Sequence, residues 1–137
     1  MNVSAGDAGE RVLVVDDDDD GRGAMCRVLE RAGYHVEVAS GAKEALARIG
    51  GGRFALVLSD VEMPRMGGIE LVAQLDERCA AVPVILLTTL DSELVREAVA
   101  TLPRVHAVVR KSDDHRLLLA AVRGVLVLDG VRRAADG

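Results

Sequence analysis

The chain has no tryptophan, and Tyr34 and Phe54 are its only aromatic residues. Its core must therefore be aliphatic, built from Val, Leu, Ile, Ala and Met. Half of the 137 residues are apolar, enough to fill the interior of one domain. Cysteine is nearly as scarce: Cys26 and Cys79 have no metal-ligand spacing, fall within or at the end of expected helices and read as free packed or surface thiols. A basic surface is also lacking. A net charge of −5 argues against a nucleic-acid-binding face, which needs clustered Lys and Arg. No apolar run approaches the ~18 residues of a membrane span, and residues 1–10 lack the apolar stretch of a secretory leader. The expectation is a cytoplasmic domain that binds neither membrane nor nucleic acid.

What is present is organised around residues 54–70, FALVLSDVEMPRMGGIE. The apolar run 55–58 has the character of a strand buried on both faces, and it ends at Ser59 and Asp60. Met63-Pro64 breaks the chain, and Met66-Gly67-Gly68 turns it into a helical pattern. Three other apolar runs end in polar residues of the same kind. Residues 12–15 lead to Asp16 and Asp17, residues 82–87 to Thr88, and residues 105–109 to Lys111. Helical spacings separate them, over residues 21–32, 42–49, 68–78, 92–102 and 113–126, with residues 35–39 alternating as a further strand.

Five strands alternating with five helices through short loops predict an α/β fold with a doubly wound parallel sheet. Residues 1–10 are expected to be a flexible lead-in, 11–127 the domain, and 128–137 a tail or the start of a linker. In such sheets ligands bind at the carboxyl ends of the strands. Asp16, Asp17, Asp60, Thr88 and Lys111 all lie at or just past such ends, so parallel strands would bring them together. Like carboxylates ~4 Å apart repel by about 4 kcal/mol at an effective dielectric near 20, so a cation or proton must offset them. Mg²⁺, a hard ion with oxygen ligands, suits that need. Asp60 is then a plausible nucleophile, because carboxylates form acyl phosphates. Lys111 would pair with the added charge, and Thr88 would hydrogen-bond a phosphoryl oxygen.

Taken together, VLVVDD, VLSDVEMPRMGGIEL, PVILLTT and the lysine after the last strand resemble the CheY-like receiver domain of two-component response regulators, over residues 11–126. The resemblance implies a flavodoxin-like sheet of order 2-1-3-4-5. It implies Asp60 as phosphoacceptor, Asp16 and Asp17 as the acidic pair holding Mg²⁺, and the backbone carbonyl of Glu62 as a further metal ligand. Thr88 becomes the switch hydroxyl and Lys111 the phosphate-pairing lysine. Gly68 matches the turn glycine and Arg22 the basic residue of the first helix. The implied donor is a histidine kinase or phosphotransfer protein, or a small phosphodonor. Signalling would pass through the face of helix 4, strand 5 and helix 5 to an output domain, a partner protein or a second copy of the chain. On this reading the chain is no enzyme beyond its own phosphorylation and dephosphorylation.

Two positions depart from the family pattern. Val108 stands where receivers usually carry Phe or Tyr, and Ser112 stands where proline usually follows the lysine. These departures motivate an alternative, a receiver-fold binding module decoupled from phosphorylation, in which coupling runs only through Thr88, Thr89 and the loop to Leu90. Thr89, bulkier than the usual small residue, is expected to narrow water's access to a phosphoryl group. Other acidic motifs fit less well. Asp16, Asp18, Asp20 and Gly21 match the opening of a calcium loop, but Arg27 stands where that loop needs Glu. A haloacid-dehalogenase-type phosphatase shares the Asp-x-Asp opening, but Asp20 replaces the usual Thr or Val. Asp18, Asp19 and Asp20 read as a helix N-terminus, where negative charge is favoured. His35, His106 and His115 share no spacing that makes a site.

Overall fold

The computed structural model describes residues 9–78 and 80–136. Most of the expected lead-in, together with Cys79 and Gly137, lies outside the described residues. Strands and helices alternate as β1 (Arg11–Val15), α1 (Asp19–Arg31), β2 (His35–Ala39), α2 (Ala42–Gly51), β3 (Leu56–Asp60), α3 (Gly68–Glu77), β4 (Val84–Thr88), α4 (Ser92–Ala98), β5 (Val105–Arg110) and α5 (His115–Asp136). The strands form one sheet in the order β2-β1-β3-β4-β5, and every pair is parallel.

Side chains alternate across a strand, so each apolar strand feeds two cores at once. Leu13, Val15, Val57, Val84 and Leu86 face α2, α3 and α4, where Ala45, Leu46, Leu71, Val72, Leu75, Val95 and Val99 meet them. Val12, Val14, Leu56, Leu58, Ile85 and Leu87 face α1 and α5, against Leu29, Leu118, Val122 and Val125. Both layers are almost wholly aliphatic, as the shortage of aromatics requires. Cys26 packs at the edge of the second layer. Burial, helped by Glu30, pushes its thiol above the ordinary range, which makes it a poor nucleophile.

Several boundaries differ from those expected. Helix α1 begins at Asp19 instead of residue 21, because the Asp18 carboxylate caps it, accepting from Gly21 N at 2.9 Å. Strand β4 begins at Val84, after Pro83, which has no N–H for the ladder. Helix α4 ends at Ala98 with Val99 as its cap, short of residue 102. Helix α5 runs to Asp136, past its expected end near residue 126 and through most of the expected tail. Only Gly130 weakens that stretch, and Ala134 and Ala135 favour helix. Leu117, expected to point inward, is 57% exposed, and Leu94 in α4 is 64% exposed.

Register positions the strand ends. Val15 of β1 lies beside Ser59 of β3, so Asp16 comes level with Asp60. Asp60 pairs with Leu87 on its other side, so Thr88 is one step further out. Thr88 pairs with Arg110 of β5, and Lys111 follows it.

The turn leading into α3 is held by lack of space. A Cβ on Gly68 would sit 2.4 Å from the Asp60 carbonyl oxygen and 3.0 Å from Leu86 Cδ2. The backbone here approaches the strand more closely than any side chain allows. Gly68→Ala is therefore expected to destabilise the fold by about 1–3 kcal/mol, the usual range for overpacking. Urea unfolding reads this directly, and an unchanged midpoint would show that the turn relaxes freely.

Candidate functional site

Carboxylate oxygens of Asp16, Asp17 and Asp60 lie within 4.8 Å of one another at the carboxyl edge of β1 and β3. Asp16 and Asp60 are buried and Asp17 is exposed, so the cluster opens to solvent on one side. Lys111 reaches into it from the end of β5. Its Nζ donates to Asp60 Oδ2 at 2.8 Å and lies 3.5 Å from Asp16 Oδ2. The lysine arrives there on a trans backbone: no cis peptide bond occurs among the described residues, the Lys111–Ser112 bond included. Ser112 therefore does not displace the lysine from the carboxylates.

Loops order the acids as well. Asp18 N donates to Asp16 Oδ1 at 2.9 Å. Arg22, one turn into α1, donates from Nη1 to the backbone oxygen of Asp16 at 2.8 Å and from Nη2 to Asp19. Glu62 N donates weakly to Asp60 Oδ1 at 3.3 Å.

Electrostatics pull on this cluster in opposite directions. Burial pushes the Asp60 carboxyl above its ordinary range. The Lys111 ammonium opposes that shift, the Asp16 charge adds to it, and the net displacement is upward. Burial alone would lower Lys111, but its bonds and charge interactions with Asp60 and Asp16 outweigh burial and raise it. One ammonium thus stands beside a cluster of three carboxylates and bonds to two of them, so the pocket remains short of positive charge.

Thr88 is fully buried at the end of β4, but its hydroxyl is not directed at Asp60. It donates to Glu62 Oε2 at 2.7 Å and accepts from Leu90 N at 2.9 Å. The other Glu62 oxygen, Oε1, accepts from Thr89 N at 3.1 Å and Thr89 Oγ1 at 2.9 Å. Burial raises the Glu62 carboxyl, but these donors and the nearby Lys111 charge together bring it below its ordinary range. Reading the sequence cast Glu62 as a backbone ligand and missed its side chain. No local spacing signals that contact: Asp60 pairs with Leu87 at the end of the β3–β4 ladder, and Glu62 and Thr89 meet in the loops just beyond it.

A sequence profile of the response regulator receiver domain matches residues 12–123. The chain belongs to the response regulator receiver family. Among curated relatives, the response regulator MprA of Mycolicibacterium vanbaalenii is 44% identical over 92 residues, covering 67% of this chain and 39% of that protein. The receiver thus spans about two fifths of the relatives it matches. Among solved structures, chemotaxis protein CheY4 of Vibrio cholerae is 32% identical with a TM-score of 0.79, covering 86% of this chain and 99% of that one. The response regulator TrrA of Thermotoga maritima, solved in complex with Mg²⁺ and beryllofluoride, is 28% identical with a TM-score of 0.75, covering 85% and 98%. The β2-β1-β3-β4-β5 sheet with its five helices is the flavodoxin-like arrangement expected of this family. Among the described residues no helix is long and apolar enough to cross a membrane.

Proposed function

We propose that this receiver accepts a phosphoryl group on Asp60 in a Mg²⁺-dependent reaction, with a histidine kinase or phosphotransfer protein as the physiological donor. The observation that carries this reading is the meeting of Asp16, Asp17 and Asp60 in one pocket with Lys111 at 2.8 Å from Asp60. The donor set fits the ion: hard carboxylate oxygens, mutual repulsion, and a single ammonium to offset it. Asp16, Asp17 and Asp60 would hold Mg²⁺, with the Glu62 backbone carbonyl as a further ligand. When bound, the ion neutralises charge on the transferring group.

An Asp60 carboxylate oxygen attacks phosphorus. The new O–P bond forms as the bond to the donor's imidazole nitrogen, or to the acetate oxygen of acetyl phosphate, breaks. The departing group keeps the electron pair and is protonated from solvent when it needs a proton. The acyl phosphate carries roughly 1.5–2 negative charges where the carboxylate carried one. Lys111 stabilises that charge as its nearest ammonium, and Thr88 turns its hydroxyl to a phosphoryl oxygen. The loops after β4 and β5 move with these two residues and alter the face of α4, β5 and α5. That face meets an output domain, a partner protein or a second copy of the chain. The receiver acts in the cytoplasm, where kinases of this class deliver phosphate, and later hydrolyses its own acyl phosphate.

Acetyl phosphate tests this reading simply. With Mg²⁺ the chain should gain one phosphoryl group, seen by intact mass, and without Mg²⁺ the gain should disappear. Failure to label with Mg²⁺ present would count against the proposal. Repeated turnover of a phosphate ester would favour a phosphatase instead.

The binding-module alternative has one observation in its favour. Val108 fills its place on β5 as a buried aliphatic residue in the layer with Val95 and Val99, so no aromatic ring is there to swing with Thr88. Partner affinity unchanged by beryllofluoride would support that alternative.

A further inference from the structure

Thr88 has one hydroxyl proton, and Glu62 holds it. From this we infer that Glu62 is a latch: a carboxylate that keeps Thr88 and Thr89 in the resting arrangement and competes with the phosphoryl group for the switch hydroxyl. The inference rests on the phosphoacceptor reading of Asp60 and adds a positioning residue to it.

The competition follows from hydrogen-bond stoichiometry. A threonine hydroxyl donates once. Here that donation goes to Glu62 Oε2 at 2.7 Å, and the hydroxyl's acceptor side is used by Leu90 N at 2.9 Å. For Thr88 to donate to a phosphoryl oxygen on Asp60, the bond to Glu62 must break. Glu62 also grips the next residue twice, through Thr89 N and Thr89 Oγ1. The first turn of the β4–α4 loop is therefore tied to the β3–α3 loop by three hydrogen bonds to one carboxylate. The placement follows from the fold, because Glu62 and Thr89 lie in the loops just past the ends of the neighbouring strands β3 and β4. A side chain two residues from Asp60 also cannot ignore charge added there: a phosphoryl group repels the Glu62 carboxylate while attracting its partner hydroxyl. The latch is thus loosened by the same event that needs it open. It sets how much phosphoryl binding energy is consumed in switching.

Hydrogen bonds to a charged group are individually significant. Removing the latch should tighten binding of a phosphoryl mimic, by about tenfold if one such bond is the net difference. The test is an amide-resolved NMR titration of the full chain with beryllofluoride in excess Mg²⁺, for the unaltered protein, Glu62→Ala and Glu62→Gln. Glu62→Ala should bind about tenfold more tightly. Glu62→Gln, which retains an acceptor but not the charge, should fall between. Glu62→Gln also keeps the test alive if Glu62→Ala folds poorly. Before any mimic is added, the Thr89 amide should lose hydrogen-exchange protection in Glu62→Ala, a readout that needs no metal. In a Thr88→Val background the effect of Glu62→Ala on affinity should shrink, since the contested proton is gone and only the charge repulsion and the bonds to Thr89 remain. A clear response in the unaltered chain with equal affinities in the variants overturns the latch alone. No beryllofluoride response in the unaltered chain overturns the phosphoacceptor reading, and the latch with it.

Discussion

Asp60→Asn is expected to abolish phosphoryl uptake from acetyl phosphate while leaving the fold at least as stable as before. The amide oxygen is a poor nucleophile, so the loss of chemistry should be complete. The stability result is the more discriminating half. Asp60 is buried beside Asp16, and its proton affinity is raised despite the bond from Lys111. The folded state therefore disfavours its charge relative to the unfolded chain, and the attraction of Lys111 is already counted in that balance. A neutral isostere removes the penalty. The sign carries over to pH. A raised carboxyl binds more protons folded than unfolded, so metal-free stability should fall as pH rises from the ordinary aspartate value of 3.8 through the higher folded-state titration. Asp60→Asn should flatten that part of the profile. Mg²⁺ should act in the same direction as acid at this site: at a hundred times its dissociation constant it should stabilise the unaltered protein by about 2.7 kcal/mol, and Asp60→Asn by less. Urea unfolding with and without Mg²⁺ measures all of this. A large loss of stability in metal-free Asp60→Asn would mean that the Lys111–Asp60 pair holds the fold together.

Lys111→Met should separate metal binding from phosphoryl transfer. The ammonium competes with any cation for the same carboxylates, lying 2.8 Å from Asp60 and 3.5 Å from Asp16. Its removal should tighten Mg²⁺ binding by about tenfold, a modest share of the Coulomb energy of charges at such distances. Phosphoryl uptake should nevertheless slow by about a hundredfold, in the range seen when one preorganised electrostatic group is lost. Opposite changes in the two quantities are the signature. Parallel losses would show that Lys111 mainly organises the pocket. The comparison needs only a Mg²⁺ titration and a labelling time course on the same sample.

Much of this structure is legible in the residues themselves. The runs at 12–15, 55–58 and 82–87 are too continuously apolar for an exposed strand, and each ends in the polar residue that the sheet brings to its edge. Convergence of Asp16, Asp17, Asp60 and Lys111 follows from parallel strands of nearly equal length. Helix faces are harder to assign. Residues 117 and 118 are both leucine, and spacing alone cannot say that Leu118 packs at 2% exposure while Leu117 faces out. The end of α5 was hidden because no breaker marks it. Contacts between loops were least accessible. The hold of Glu62 on Thr88 and Thr89 depends on how the chain just past β3 meets the end of β4, and local spacing carries no trace of that.

The most direct test of the central claim is to locate the phosphoryl group chemically. An acyl phosphate is reduced by borohydride, which marks the carboxylate that carried it. After labelling with acetyl phosphate and Mg²⁺, reduction and peptide mapping should place a single mark on Asp60 and none on Asp16 or Asp17. A mark on another residue, or no mark on a chain shown to be folded and Mg²⁺-loaded, would contradict the account.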